Sequence, residues 1–140
     1  HQHVEKLIPK VITSILNNQK IPVYGSGDNI RDWLYVKDHV EALDTVFHKG
    51  KKGETYNIGS NNEISNLELI HIICDICHDK KHHADPKKLI SYVSDRLGHD
   101  RRYAINFSKL HNELSWSPKF DFYNSLRSTI DWYVKNFESK

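Results

Sequence analysis

The stretch SDRLGHDRRY, residues 94–103, concentrates the side chains of this sequence that are best suited to bind an anion. Three arginines, one histidine and two aspartates surround Gly98, in a chain whose formal net charge is only +2. A planar guanidinium donates paired hydrogen bonds to phosphate oxygens, and a glycine lets the backbone approach an anion closely. The stretch therefore predicts a site for one compact phosphate group.

Two other interpretations of this loop stay open from the residues alone. Runs of charge commonly just face water, so a solvated loop is the first of them. Nucleic acid is the second, but acidic residues are interleaved along the whole chain, so no broad basic face is predicted.

Gly25 and Gly27 form a Gly-x-Gly pair that partly matches a dinucleotide-binding fingerprint. That fingerprint needs a third glycine and a following helix, whereas Ile30 stands at the third position and an extended stretch follows. The pair therefore indicates a hairpin turn between two strands and no cofactor loop.

Cys74 and Cys77 form a C-x-x-C pair with histidines close behind, which would suit zinc or redox chemistry. Both cysteines, however, fall late in an apolar helical pattern, away from the helix N-terminus that would stabilise a thiolate. Buried free thiols are the favoured interpretation, and no metal site is predicted.

Arg31, Trp33 and Tyr35 alternate with apolar residues, as the two faces of a strand do. The polar and aromatic face is either the outer side of an amphipathic edge strand or a ligand-binding face. The residues alone leave both open.

The elements that must position these groups follow from hydrophobic periodicity and capping signals, which predict a mixed α/β chain. Two capping boxes, Asp38 with Glu41 and Ser65 with Glu68, mark helix starts. The first of these helices is expected to turn Val40, Leu43, Val46 and Phe47 inward. Predicted helices cover about 8–18, 39–48, 65–78, 107–114 and 122–137. Predicted strands form a hairpin over 21–36, with others at 55–59 and 89–93, and a short extended piece is predicted at 102–106.

The composition is that of one ordinary globular domain, with 38% hydrophobic and 27% charged residues among 140. Two cysteines and no apolar run of membrane-spanning length predict a cytoplasmic protein. The sequence contains no methionine and begins at His1, which predicts a piece of a longer protein or a processed product.

Five segments carry a resemblance to a known family: KLIP, YGSGDNIRDWLYVKDH, GETYNIG, NNEISNLEL and SDRLGHDRRYAI, in this order. Together they resemble the C-terminal part of the dTDP-glucose 4,6-dehydratases, which belong to the extended short-chain dehydrogenase/reductases. The resemblance covers essentially the whole chain. It implies an α/β substrate-binding part that normally lies beside an NAD-binding Rossmann domain, which this chain would lack.

Members of that family use bound NAD to remove a hydride from C4 of dTDP-glucose and return it to C6 after water is eliminated. The resemblance implies that Arg31 pairs with the diphosphate, that Asn66 adds a polar contact, and that one loop closes over the diphosphate and ribose. That loop is formed by Arg96, Leu97, Gly98 and His99, and the residues implied to meet the nucleotide are Lys6, Leu7, Pro22, Val23 and Tyr24.

The resemblance has departures and leaves alternatives. Leu97 stands where many relatives have proline, which puts the loop geometry in question. The family's catalytic residues and NAD loop would lie before His1, so no catalytic residue is predicted here and the chain alone is expected to be inactive. A homodimer is expected for the full-length protein. A sister epimerase or decarboxylase, or a non-catalytic nucleotide-sugar-binding module, are the alternatives.

Overall fold

A computed structural model describes residues 2–138, with side chains through residue 136. The predicted α/β class is confirmed. No helix within the described residues is both long and apolar enough to cross a membrane. The helices are α1 Leu7–Leu16, α2 Val36–Lys49, α3 Asn66–Asp79, α4 Ser108–Leu114 and α5 Phe122–Glu138, with a 3-10 turn at Pro86–Leu89, and the strands are β1 Ile21–Tyr24, β2 Ile30–Asp32, β3 Glu63–Ser65 and β4 Ile90–Val93.

The chain divides into two compact units, and the first is assembled from three separate segments. It contains the residues up to Asn29, the segment Ser65–Arg101, and the residues from Leu126 onward. Strands β1 and β4 pair in parallel within it, so that Tyr24 lies opposite Val93. A parallel pair needs a long crossover, and α3 lies between the two strands in the chain.

Helices α1 and α3 bury the stripes that their periodicity predicts. Ser65 caps α3 as expected, because its hydroxyl accepts a hydrogen bond from the Glu68 N–H at 3.1 Å. The predicted inward face of α3 is confirmed, since Leu69, Ile70, Ile73, Ile76 and Cys77 are all buried. The core of this unit also contains Val11, Ile12 and Ile15 of α1, Ile21 and Val23 of β1, and Leu126, Ile130 and Val134 of α5.

The second unit, Ile30–Ile64 with Arg102–Ser125, has a core of its own. Helices α2 and α4 contribute Ala42, Leu110 and Leu114, and Trp116 follows α4. Strands β2 and β3 form a two-stranded sheet. Arg102 adds an isolated parallel bridge to Ile30, and the rest of the extended piece predicted at 102–106 has no strand assignment.

The predicted hairpin over residues 21–36 is wrong. Gly25 and Gly27 do make a turn, with φ of 57° and 80°, but the strands on either side of it pair with other partners. The second strand is also shorter than expected. It ends at Asp32, so the alternation of Arg31, Trp33 and Tyr35 is not one strand face, and Tyr35 is the N-cap of α2.

Helix α2 begins three residues earlier than predicted and buries a different face. Asp38 does not cap it, because its carboxylate accepts hydrogen bonds from the Lys119 and Phe120 N–H groups, at 2.8 and 3.4 Å. That tertiary contact turns Asp38 and Ala42 inward. The expected inward face is wrong, since Val46 is only half-buried and Val40, Leu43 and Phe47 are exposed.

Residues 55–59 were also predicted as a strand, and this is wrong for the chain as described. No strand assignment falls on them. Tyr56 and Ile58 instead pack against the core of the second unit. Their apolar side chains are used for packing without the backbone ladder that a strand requires.

Candidate functional site

Strand β1 places three of the predicted nucleotide contacts at one end of the parallel pair. Val23 is buried, Pro22 half-buried, and Tyr24 is 43% exposed. The turn that follows β1 is closed by a hydrogen bond from the Gly27 N–H to the Tyr24 carbonyl, at 3.1 Å. Gly25 donates its N–H to Val93 at 3.0 Å, which fixes the turn beside the end of β4.

Two helix N-termini carry the next three candidates. Lys6 is the exposed N-cap residue of α1, and Leu7, its first residue, is half-buried. Asn66 is the first residue of α3, and its N–H donates to the Asn29 carbonyl at 2.9 Å. This backbone hydrogen bond joins the start of α3 to Asn29, which lies two residues after the turn glycine Gly27.

The loop Asp95–His99, here called the clamp loop, is separated from β4 by Ser94 alone, and hydrogen bonds within the loop hold its two ends together. The Asp95 carboxylate accepts from the Arg96 N–H at 2.8 Å and lies 2.7 Å from Nδ1 of His99. The His99 N–H donates to the Arg96 carbonyl at 3.3 Å, and Gly98 takes a φ of 69°. Leu97 is fully exposed at the tip of this loop.

The His99 side chain is only 6% exposed, although the loop around it faces solvent. Its Nε2 lies 2.7 Å from Nη2 of Arg96. The hydrogen bond from His99, followed by that from the Arg96 N–H, lowers the pKa of the Asp95 carboxyl. Asp95 therefore stays ionised and orders the loop at neutral pH.

Arg96 also lies over the ring of Tyr24, with its guanidinium carbon 5.3 Å from the ring centroid. This cation–π contact links β1 to the clamp loop. Of the predicted site residues, the described contacts thus bring Tyr24, Arg96 and His99 together in the first unit.

Arg31 lies in the second unit, on β2. Its Nη1 donates to its neighbour's carbonyl, that of Ile30, at 2.7 Å, and its guanidinium lies over the Tyr103 ring at 4.3 Å. The Tyr103 N–H donates to the same Ile30 carbonyl at 3.1 Å. The Ile30 carbonyl and the Tyr103 ring therefore both contact the Arg31 guanidinium within the second unit.

Arg102 is the last arginine of the charged stretch 94–103, and its charge is already paired. It makes a paired ion contact with Glu63, with Nε and Nη2 at 2.6 and 2.9 Å from the two carboxylate oxygens. Glu63 raises the Arg102 pKa through this hydrogen bond. Glu63 is 39 residues away and lies outside the charged stretch 94–103.

Cys74 and Cys77 are both free and buried, as the favoured interpretation predicts. Burial raises the pKa of the Cys74 thiol from its ordinary 9.0 to about 12, and that of Cys77 to about 11. Among residues 2–138, no group of three or more histidine, cysteine or acidic side chains is arranged to hold a metal ion.

We expect both thiols to resist iodoacetamide at pH 8 in the folded protein and to react after unfolding in urea. The thiolate is the reactive form, and burial keeps both groups protonated. Above about pH 9 the unfolded chain loses these protons while the native state retains them. The contribution of the two thiols to the free energy of unfolding is therefore fully present below about pH 9 and is lost as pH rises toward 11 to 12. Mass spectrometry of the labelled cysteines checks this, and full labelling of native protein at pH 8 would contradict it.

Two residues of the site were not in the predicted set. Asp95 orders the clamp loop, and Tyr103 supports Arg31. Both belong to the same charged stretch, so a signal was present. An acidic residue four positions before a histidine, and an aromatic residue after an arginine pair, are patterns of support for cations.

A comparison with protein-family profiles decides the family. Residues 1–129 match the family described as GDP-mannose 4,6 dehydratase. The chain belongs to this family. Its relatives include a dTDP-glucose 4,6-dehydratase of Xanthomonas campestris pv. campestris, 49% identical over 135 residues, which covers 94% of this chain and 38% of the relative.

Solved structures of the family agree in fold. The dTDP-glucose 4,6-dehydratase of Bacillus anthracis in complex with NAD is 50% identical, with a TM-score of 0.88, over 98% of this chain and 42% of that one. The enzyme of Streptomyces venezuelae with NAD and TYD bound is 36% identical, with a TM-score of 0.89, over 96% and 40%. The chain therefore spans about two fifths of the length of the relatives it matches, and the resemblance to extended short-chain dehydrogenase/reductases is confirmed.

Proposed function

We propose that this chain is the C-terminal, substrate-binding portion of an NAD-dependent dTDP-glucose 4,6-dehydratase. The observation that carries the proposal is the clamp loop at the end of β4, where Arg96 is held by His99 and by the Tyr24 ring. Relatives of known name support the choice of reaction, since one of them was solved with NAD and TYD bound.

The position of the clamp loop within the first unit favours ligand binding. Ligands of open α/β sheets bind beyond the carboxyl ends of parallel strands. Tyr24 and Val93 are the last residues of the parallel pair, and the clamp loop and the β1 turn both start there. A guanidinium at this edge is placed to donate charge-assisted hydrogen bonds to a phosphate.

The proposed role of the chain is to hold the diphosphate of the nucleotide sugar. In the first unit, the loop Arg96–His99, with Leu97 and Gly98, is the candidate to close over the diphosphate and ribose, and the other candidate contacts are Lys6, Leu7, Pro22, Val23, Tyr24 and Asn66. In the second unit, the candidate phosphate contact is Arg31. NAD supplies the hydride chemistry when bound, and we assign its binding to the portion of the enzyme outside this chain. On this proposal the chain alone does not turn over substrate, and the full-length enzyme is a cytoplasmic homodimer.

The test replaces each arginine in turn in the full-length protein. Arg96→Ala and Arg31→Ala should each weaken dTDP binding by roughly 1.5 to 3 kcal/mol, the usual contribution of a hydrogen bond to a charged group. Isothermal titration calorimetry measures the loss. Arg127→Ala, at an exposed arginine of α5 in the first unit, is the matched control and should bind like the wild type.

Three outcomes would reject the proposal. Unchanged dTDP affinity in both arginine variants would show that neither arginine binds the diphosphate. Binding of dTDP-glucose in the presence of NAD, without formation of dTDP-4-dehydro-6-deoxyglucose, would favour the alternative of a non-catalytic nucleotide-sugar-binding module. Tighter binding of UDP-sugars, with epimerised or decarboxylated product, would indicate a sister enzyme.

A further inference from the structure

The His99 imidazole is the least exposed side chain of the clamp loop for which contacts are described, and it lies between two charged groups. Nδ1 is 2.7 Å from Oδ1 of Asp95, and Nε2 is 2.7 Å from Nη2 of Arg96. The side chain is 6% exposed, while Asp95 is 41% exposed. Each ring nitrogen therefore faces a charged partner within the loop.

The chemistry of these partners fixes the protonation of the ring. An ionised carboxylate only accepts hydrogen bonds, and a guanidinium only donates them. His99 must then carry its proton on Nδ1, donate it to Asp95, and accept from Arg96 at Nε2. A nitrogen that accepts from Arg96 has no proton to offer a phosphate oxygen.

Resting on the proposed function, we propose that His99 is a positioning residue, which acts on the diphosphate through Arg96 and does not contact it. The Asp95 carboxylate fixes the orientation of the His99 imidazole, and the imidazole fixes the position of Nη2 of Arg96. The Tyr24 ring contacts one face of the same guanidinium. A guanidinium has five N–H donors, and the bond to His99 occupies one of them. The arginine is thereby oriented before ligand arrives, which lowers the entropy that binding must remove.

The decisive experiment is a double-mutant cycle in the full-length protein, with dTDP as the probe and calorimetry as the measurement. His99→Phe keeps a flat ring without hydrogen bonds and should weaken binding about tenfold, while His99→Gln, which restores an acceptor for Arg96, should recover part of that loss. In an Arg96→Ala background, His99→Phe should change the affinity less than about twofold, because its effect passes through Arg96. The matched control is His71→Phe, at an exposed position of α3 in the first unit, and should bind like the wild type.

Additive losses in the cycle would overturn the inference, since they would mean that His99 contacts the ligand directly, while leaving the proposed function intact. Failure of the wild-type protein to bind dTDP would instead reject the proposed function and the positioning role with it. A ligand-independent measurement protects against a variant that fails to fold. Nitrogen-15 NMR of the wild-type His99 ring should find the proton on Nδ1 and Nε2 without one, and a proton on Nε2 would contradict the assignment.

Discussion

Replacement of Asp38 by alanine should lower the free energy of unfolding by about 3 kcal/mol, without touching any candidate ligand contact. The Asp38 side chain is buried, at 1% exposure, and its carboxylate accepts the backbone N–H groups of Lys119 and Phe120. Alanine removes both acceptors and leaves a void beside the segment that follows α4. Urea unfolding followed by circular dichroism measures the change.

Two further variants separate this contact from a general effect of charge on α2. Asp38→Asn keeps one acceptor oxygen and should cost about half as much. Asp44→Ala, at an exposed aspartate of the same helix that faces His48, should stay within about 0.5 kcal/mol of the wild type. Equal losses in Asp38→Ala and Asp44→Ala would argue against a specific role for the buried carboxylate.

Gly27→Ala should destabilise the first unit by a similar amount, about 3 kcal/mol, for two combined reasons. Its φ of 80° is one that L side chains rarely adopt. A Cβ there would also lie 2.9 Å from both the Leu67 Cβ and the Val23 Cγ1, which are closer than packed atoms allow. Because the Gly27 carbonyl accepts the Leu67 N–H at 3.0 Å, the start of α3 should shift as well.

Gly98→Ala is the matched control for the backbone part of this effect. Gly98 belongs to the same unit, has a φ of 69°, and an added Cβ would meet nothing within 4 Å. It should cost only about 1 kcal/mol, the strain of a left-handed residue alone. Thermal unfolding of the two variants measures the difference, and equal melting temperatures would exclude the clash with Leu67 and Val23.

The sequence predicted helices well where burial follows helical periodicity. Helix α3 illustrates this, because its cap and its buried stripe both depend on residues within one segment. Helix α2 fails for the opposite reason, since Asp38 bonds to residues 81 and 82 positions away and rotates the helix toward that partner. A pattern of residues within one helix cannot predict a hydrogen bond to a segment about 80 residues away.

Strand pairing and the candidate site follow the same rule. The turn glycines were recognised, but β1 pairs with β4, which lies far along the chain, and a turn signal carries no information about distant partners. The cation-rich stretch was recognised from its residue types alone. The pairing of Arg102 was not predicted, because its partner Glu63 lies 39 residues away in the chain. The partners of His99 are local, at three and four residues, so a signal for them was present in the sequence.

The interleaving of the two units has a consequence for synthesis on the ribosome. The first unit needs its final helix, from Leu126 onward, and the second needs the residues up to Ser125. Neither hydrophobic core can be completed until these late segments have left the exit tunnel, and contacts between such distant segments form slowly. Premature termination anywhere before α5 would therefore leave the first unit open and prone to proteolysis.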